Sequence, residues 1–245
     1  MRGWRGKIGL LVPSSNTTLE SEFIDYIPKG LSIHSARLPL SEATEEGQKK
    51  MEERLDVAVE LLTDAEVDAI AYGCTTGSLI EGKGYEKKIE QKITKISKVP
   101  SVATAAAIIE AFKELEVKKI DVFTPYIQEL NENEERYLEE YGYEIINMKG
   151  LGIKENLGIG ELKPVEVYEE AKNLVSDDSD VLFLSCTNMA TFDIIKYLEK
   201  DLNKPVVSSN QATLWSLLKK AKVSSDDLKL GTLFKKNKIN RGSIK

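Results

Sequence analysis

Cys74 and Cys186 are the two cysteines of this 245-residue chain, and His34 is its one histidine. A thiolate is a strong nucleophile, and a thiol beside it delivers or removes a proton. A facing cysteine pair therefore suits addition and elimination, or proton exchange, at carbon. A single histidine excludes an HExxH helix and any zinc site built on several imidazoles. His34 lies in Leu31-Ser32-Ile33-His34-Ser35-Ala36, which alternates as a strand does and reads as structural. The cysteines stand 112 residues apart with no CxxC, which disfavours a redox pair or zinc knuckle. Glu45-Glu46 and Asp177-Asp178 read as solvated surface runs, so no metal is expected.

Each cysteine closes an apolar strand and precedes a helix, where free backbone N–H groups and the positive dipole end are expected to favour thiolate. Thr75, Thr76 and Ser78 around Gly77 form a hydroxyl-and-amide nest suited to an anion, typically a carboxylate, and Thr187 with Asn188 offers the same on the other side. Asn16, in Pro13-Ser14-Ser15-Asn16-Thr17-Thr18, either belongs to an N-cap run or offers a donor and an acceptor to a ligand. Tyr126 either packs or turns its hydroxyl to the same cleft. Asn156 either caps the next segment or binds ligand. A lone free cysteine in such a core is ordinarily inert packing; two at equivalent positions of a repeat argue otherwise.

That repeat lies in the elements that position the thiols. Strands are expected over Lys7–Val12, Ser32–Leu38, Val67–Tyr72 and Ser101–Ala103, with helices over Thr17–Ile27, Ser41–Leu62, 84–97 and 105–115. The acidic segment 41–47 reads as a possible mobile lead into the second helix. The pattern then restarts, with strands over Lys119–Phe123, Tyr143–Met148, Val181–Ser185 and Val206–Ser208. Helices are expected over Gln128–Tyr141, Val165–Leu174, Ala190–Lys200 and Ala212–Ala221, and Gly150–Gly160 reads as irregular. Lys7–Pro13 aligns with Lys119–Pro125, and Asp68–Thr75 with Asp180–Thr187, both at an offset of 112. Lys98–Ala103 aligns with Lys204–Ser209 at about 105. Alternating apolar strands and helices imply an α/β fold of two similar lobes, each a mostly parallel sheet flanked by helices. Ligands bind beyond the carboxyl ends of such strands, so the active site is expected in the inter-lobe cleft. The expected division is a first lobe over 1–112 and a second over 113–209. A segment of about 210–235 packs back on the first lobe, and a basic, frayed tail follows over 236–245.

Composition narrows the partners. With 34 Lys+Arg against 40 Asp+Glu the net charge is -6, which argues against nucleic acid. No apolar run approaches the roughly 18 residues of a membrane span. The apolar stretch Ile8 to Val12 is too short for a signal peptide, so a cytoplasmic, reducing location is expected. No GxxxxGK[ST] loop occurs, and Gly158-Ile159-Gly160 lacks the third glycine of a dinucleotide fingerprint, so no nucleotide cofactor is expected.

Five ordered motifs carry a resemblance. Val12-Pro13-Ser14-Ser15-Asn16-Thr17-Thr18, Gly73-Cys74-Thr75-Thr76-Gly77-Ser78, Thr124-Pro125-Tyr126, Asn156-Leu157-Gly158-Ile159-Gly160 and Ser185-Cys186-Thr187-Asn188 resemble the maleate cis–trans isomerase branch of the aspartate/glutamate racemase superfamily, with arylmalonate decarboxylases as relatives. The resemblance spans residues 7 to 233. It implies two pseudo-symmetric Rossmann-like lobes with the site between them, no metal, no organic cofactor, and commonly a homodimer. It implies that Cys74 is the nucleophile and Cys186 the second, acid/base cysteine. Asn16, Tyr126 and Asn156, with Thr75, Thr76 and Thr187, would bind carboxylates. The decarboxylases that the chain resembles keep only the second cysteine, so Cys74 points to isomerase or racemase chemistry. The glutamate racemase branch shows Cys-Asn-Thr and Cys-Thr-His where this chain has Cys74-Thr75-Thr76 and Cys186-Thr187-Asn188.

The expected activity is a cofactor-independent cis–trans isomerisation of a small unsaturated dicarboxylate, maleate to fumarate. Cys74 adds, the carbon–carbon bond rotates, and the thiolate is eliminated. A two-cysteine racemase or epimerase, a decarboxylase-like enzyme and a non-catalytic dicarboxylate-binding protein are the alternatives.

Overall fold

The computed structural model describes residues 3–225 and 227–236. Among the described residues, eight parallel strands form two four-stranded sheets. The first holds β1 (Gly6–Pro13), β2 (Leu31–Leu38), β3 (Ala69–Tyr72) and β4 (Ser101–Ala103) in the order β2-β1-β3-β4. The second holds β5 (Lys119–Thr124), β6 (Glu144–Gly150), β7 (Val181–Leu184) and β8 (Val206–Ser208) in the order β6-β5-β7-β8. All the pairings between these strands are parallel, and the central strands are apolar and buried because helices cover both faces. The helices are α1 (Leu19–Tyr26), α2 (Glu45–Glu52), α3 (Leu55–Asp64), α4 (Tyr85–Ser97), α5 (Thr104–Glu114), α6 (Gln128–Glu140), α7 (Asn156–Gly160), α8 (Pro164–Leu174), α9 (Phe192–Leu202), α10 (Ser209–Lys220) and α11 (Gly231–Lys236).

The internal repeat is carried into strand register. Ile8 stands opposite Ala69 in the first sheet, and Ile120 opposite Val181 in the second, each pair displaced by the same 112 residues. Ile70 pairs with Ser101, and Leu182 with Val206. Asp68 and Asp180 do the same work in each half. The Asp68 carboxylate accepts the Lys7 N–H at 2.7 Å, and that of Asp180 accepts the Lys118 and Lys119 N–H groups at 2.8 Å.

One continuous apolar core runs through both lobes, and a second cluster fills the outer face of the first sheet. α5 and α10 lie against each other between the sheets, and α10 also touches β3 and β4. α11 rests on α9 and β8. Two expected outlines are corrected. The helix expected over 41–62 is two helices broken at Glu53-Arg54. α2 turns Gln48 and Met51 inward, whereas α3 buries Leu55, Ala58, Val59 and Leu62, and no straight helix serves both directions. The stretch expected to be irregular over 150–160 begins as the end of β6 and closes as the helical turn α7. Of the tail expected over 236–245, only the backbone of Lys236 belongs to the described residues.

Candidate active site

In each sheet, the strand order places a topological switch between two central strands, β1 and β3 in the first and β5 and β7 in the second. Ligands bind in the crevice that opens there, beyond the carboxyl ends. The loops leaving these four strands carry Asn16, Cys74, Tyr126 and Cys186. The loop before each thiol starts identically. Gly73 N–H donates to the Leu11 carbonyl and Ser185 N–H to that of Phe123, both at 2.9 Å.

Hydrogen bonds then stitch the two loops together across the lobes. The Thr187 hydroxyl donates to the Gly73 carbonyl at 3.0 Å and accepts from Asn16 Nδ2 at 3.1 Å. The hydroxyl oxygen of Ser209, the first residue of α10, accepts both the Thr75 hydroxyl at 2.9 Å and the Cys186 N–H at 3.1 Å. Asn188 Oδ1 accepts the Thr17 N–H at 2.8 Å, and its Nδ2 donates to the Asn156 carbonyl at 2.6 Å. Asn156 Nδ2 donates to the Ser15 hydroxyl at 2.8 Å. Asn16 Oδ1 is occupied in the first turn of α1, accepting the Thr18 and Leu19 N–H groups at 3.0 Å.

The thiols are 6% and 4% exposed for Cys74 and Cys186, and burial decides their acidity. The expected lowering by a helix N-terminus is corrected. After Cys74 the chain makes only the 3-10 turn Thr76–Ser78, and after Cys186 the helix α9 begins at Phe192. Burial pushes the Cys74 thiol up to about 11, against the opposing Gly77 N–H at 3.4 Å and the Thr76 hydroxyl. Burial pushes Cys186 up to about 12. The Tyr126 hydroxyl and the Asn188 N–H, the latter at 3.3 Å, oppose it, while charge on Cys74 and on Glu134 adds to it. That Cys74 acts on Cys186, and both act on Tyr126, places the three groups within electrostatic reach of one another.

α2 roofs the first loop. Gln48, 3% exposed, donates from Nε2 to the Thr76 hydroxyl. The segment before α2 is pinned to the second lobe rather than loose. Ala43 N–H donates to the Lys154 carbonyl at 2.9 Å, Asn156 N–H to that of Ser41 at 3.1 Å, and Thr44 caps α2 through Gly47 N–H. Among the described residues, no group of three or more His, Cys, Asp or Glu is placed to hold a metal ion, and no helix is long and apolar enough to cross a membrane.

Gln48, Ser209 and Glu134 were not singled out by sequence reasoning. Ser209 had a usable signal, because it closes the block Lys204–Ser209 that aligns with Lys98–Ala103, and strand ends carry sites. Gln48 and Glu134 lie in helices whose charged and polar residues look solvated.

The model of the arylmalonate decarboxylase family matches residues 8–234, and the chain belongs to that family. A maleate isomerase of Geobacillus stearothermophilus is 32% identical over 227 residues, covering 87% of this chain and 90% of that protein. The crystal structure of the maleate isomerase Iso from Pseudomonas putida S16, as a cysteine-to-alanine variant with maleate, superposes with a TM-score of 0.90 at 26% identity, covering 94% of this chain and 97% of that one. A cysteine-to-serine mutant of the Nocardia farcinica maleate cis–trans isomerase, with a covalently bound succinylcysteine intermediate, superposes with a TM-score of 0.89 at 25% identity, covering 94% and 98%.

Proposed function

We propose that this chain converts maleate to fumarate, with Cys74 as nucleophile and Cys186 as proton donor and acceptor. The observation that carries the reading is the pair of thiols on equivalent loops, joined through Ser209 and Thr187 and surrounded by hydroxyl and amide donors. The maleate and the succinylcysteine held by the two solved relatives support it.

Cys74 first loses its proton to solvent. Its sulfur then forms a bond to one alkene carbon, and the π electrons move to the neighbouring carbon and its carboxylate. The loop amides of Thr75, Thr76 and Thr187 and the Thr76 hydroxyl take the developing negative charge, while Asn16, Tyr126 and Asn156 hold the carboxylates. Cys186 delivers its proton to that neighbouring carbon, leaving a single bond that rotates. Cys186 thiolate then removes a proton from the same carbon, the carbon–sulfur bond breaks, and the trans alkene leaves. Loop amides and the polar side chains around them supply the local positive potential that an acidic chain needs for a dianion.

No metal or organic cofactor enters this scheme. A cytoplasmic homodimer belongs to the proposal, as does the division into lobes over 1–112 and 113–209; of the segment 210–235 expected to return to the first lobe, α10 does so and α11 rests on the second. Sedimentation reads the oligomeric state. Proton NMR of maleate incubated with wild type, Cys74→Ala and Cys186→Ala tests the chemistry. Fumarate from the wild type alone is expected, and undiminished turnover by Cys74→Ala overturns the mechanism. Exchange at the α-carbon of an amino or hydroxy acid in deuterium oxide, without fumarate, replaces it by a two-base racemase.

A further inference from the structure

Two glutamates occupy equivalent places in the repeat. Glu22 on α1 and Glu134 on α6 are separated by the same 112 residues as the cysteines. Their surroundings differ. Glu22 clasps the start of α9, accepting the Thr191 and Phe192 N–H groups at 2.5 and 2.8 Å and Asn210 Nδ2 at 2.7 Å. Glu134, 1% exposed, stays behind its own lobe's cysteine. Its Oε1 accepts the hydroxyl of Ser185, the residue before Cys186, at 2.5 Å, and its Oε2 is buried with no hydrogen-bond partner.

The first lobe has no counterpart of that contact. Gly73 stands where Ser185 stands and has no hydroxyl to hold a carboxylate, and a Cβ there would lie 2.1 Å from Leu19 Cδ2. The two thiols thus sit on matched loops with a carboxyl group behind one of them. A buried negative charge disfavours ionisation of a neighbouring acid. The titratable groups facing Glu134 are Cys186 and Tyr126, both of which its charge pushes toward the protonated form; Cys74 acts on the same two groups.

We propose that Glu134 is a positioning residue that makes the two thiols unequal, holding Cys186 as the protonated partner and leaving Cys74 as the one that ionises first. The catalytic roles rest on the isomerase reading, but the inequality of the thiols does not, so the two are tested separately. Burial pushes the Glu134 carboxyl up to about 7, with the Ser185 hydroxyl opposing, so the charge that acts on Cys186 develops around neutral pH and is complete above it.

The experiment follows thiolate absorbance against pH in single-cysteine proteins. In Cys74→Ala, where Cys186 alone titrates, Glu134→Gln keeps an acceptor for Ser185 but removes the charge. The Cys186 titration is expected to move down by about one pH unit, a tenfold rise in thiolate at fixed pH. In Cys186→Ala the same substitution is expected to leave the Cys74 titration in place. Ser185→Ala in the Cys74→Ala protein is the control. Glu134 without that hydroxyl is still fully charged where Cys186 titrates, so the Cys186 curve is expected to stay in place. An unmoved Cys186 curve in Glu134→Gln overturns the proposal, as does an equal displacement in Ser185→Ala or of both cysteines, the mark of a general loosening. No fumarate from the wild-type protein, with these titrations as expected, would remove the isomerase reading and leave the inequality standing.

Discussion

Glu22 offers the sharpest quantitative test of how the lobes are held. Burial pushes its carboxyl from the ordinary 4.5 up to about 7, and the donors from Phe192, Asn210 and Thr191 only partly offset this. A folded-state value above the unfolded one means that the native protein holds this proton more tightly. The stabilisation is complete below the ordinary value and is lost as pH rises through the folded value. The displacement corresponds to about 3 kcal/mol. Because Glu22 is partly exposed as a residue although its carboxylate is enclosed, screening reduces that to roughly 2 kcal/mol. Glu22→Gln is neutral throughout and keeps one oxygen for the Thr191 and Phe192 N–H groups. In urea unfolding at about pH 5 and about pH 8, the variant should gain about 2 kcal/mol on the wild type between the two conditions. Glu22→Ala, which strands three donors, should lose stability at both. A difference between Gln variant and wild type that does not change with pH would refute the reasoning. A difference that changes in the opposite sense would show that the three donors and the α9 dipole outweigh burial.

Ser209→Ala removes the one oxygen that accepts from both Thr75 and Cys186. We expect a loss of about 1–3 kcal/mol in unfolding experiments for the stranded donors, together with a fall in kcat larger than any change in KM. Gly77→Ala places a Cβ 2.9 Å from Cys74 Sγ and 2.8 Å from Met51 Cε. The sulfur must shift, and turnover should fall on the order of 100-fold with the fold retained by circular dichroism. With Cys74 pushed up to about 11, initial rates of maleate turnover should rise about tenfold per unit from about pH 7 to pH 9 as thiolate accumulates. A flat profile would show that the proton leaves to bound substrate instead.

The alternation of apolar strands and amphipathic helices made the architecture legible, and so did the offset of 112, because strand register obeys it residue for residue at Ile8 and Ile120. Strand ends made Asn16, Cys74, Tyr126 and Cys186 legible as a group. The acidity of the thiols was not. Position in the chain suggested a helix N-terminus, whereas acidity depends on how much protein closes over the sulfur, and the roof over Cys74 is α2, distant in sequence. The break at Glu53-Arg54 was hidden because both helices carry the same period. Glu134 was hidden for a related reason. In Gln128–Glu140 a carboxylate turned into the protein is written like its solvated neighbours, and only the fold separates Glu134 from Glu132 and Glu135.

Duplication by itself makes two equal thiols, and equality suits one of the candidate reactions better than the other. A two-base racemase runs in both directions by exchanging roles, each thiol serving in turn as acid and as base, so matched acidities serve it. An isomerase that adds and expels the same sulfur starts and finishes with one cysteine ionised and the other protonated, so unmatched acidities serve it. The departures from repeat symmetry in this chain fall where they create that mismatch. Ser185 replaces Gly73, Glu134 stays behind Cys186, and Glu22 is drawn off to the start of α9. The difference between the halves, more than their likeness, therefore favours addition and elimination over proton exchange, and titration of the single-cysteine proteins measures that difference directly.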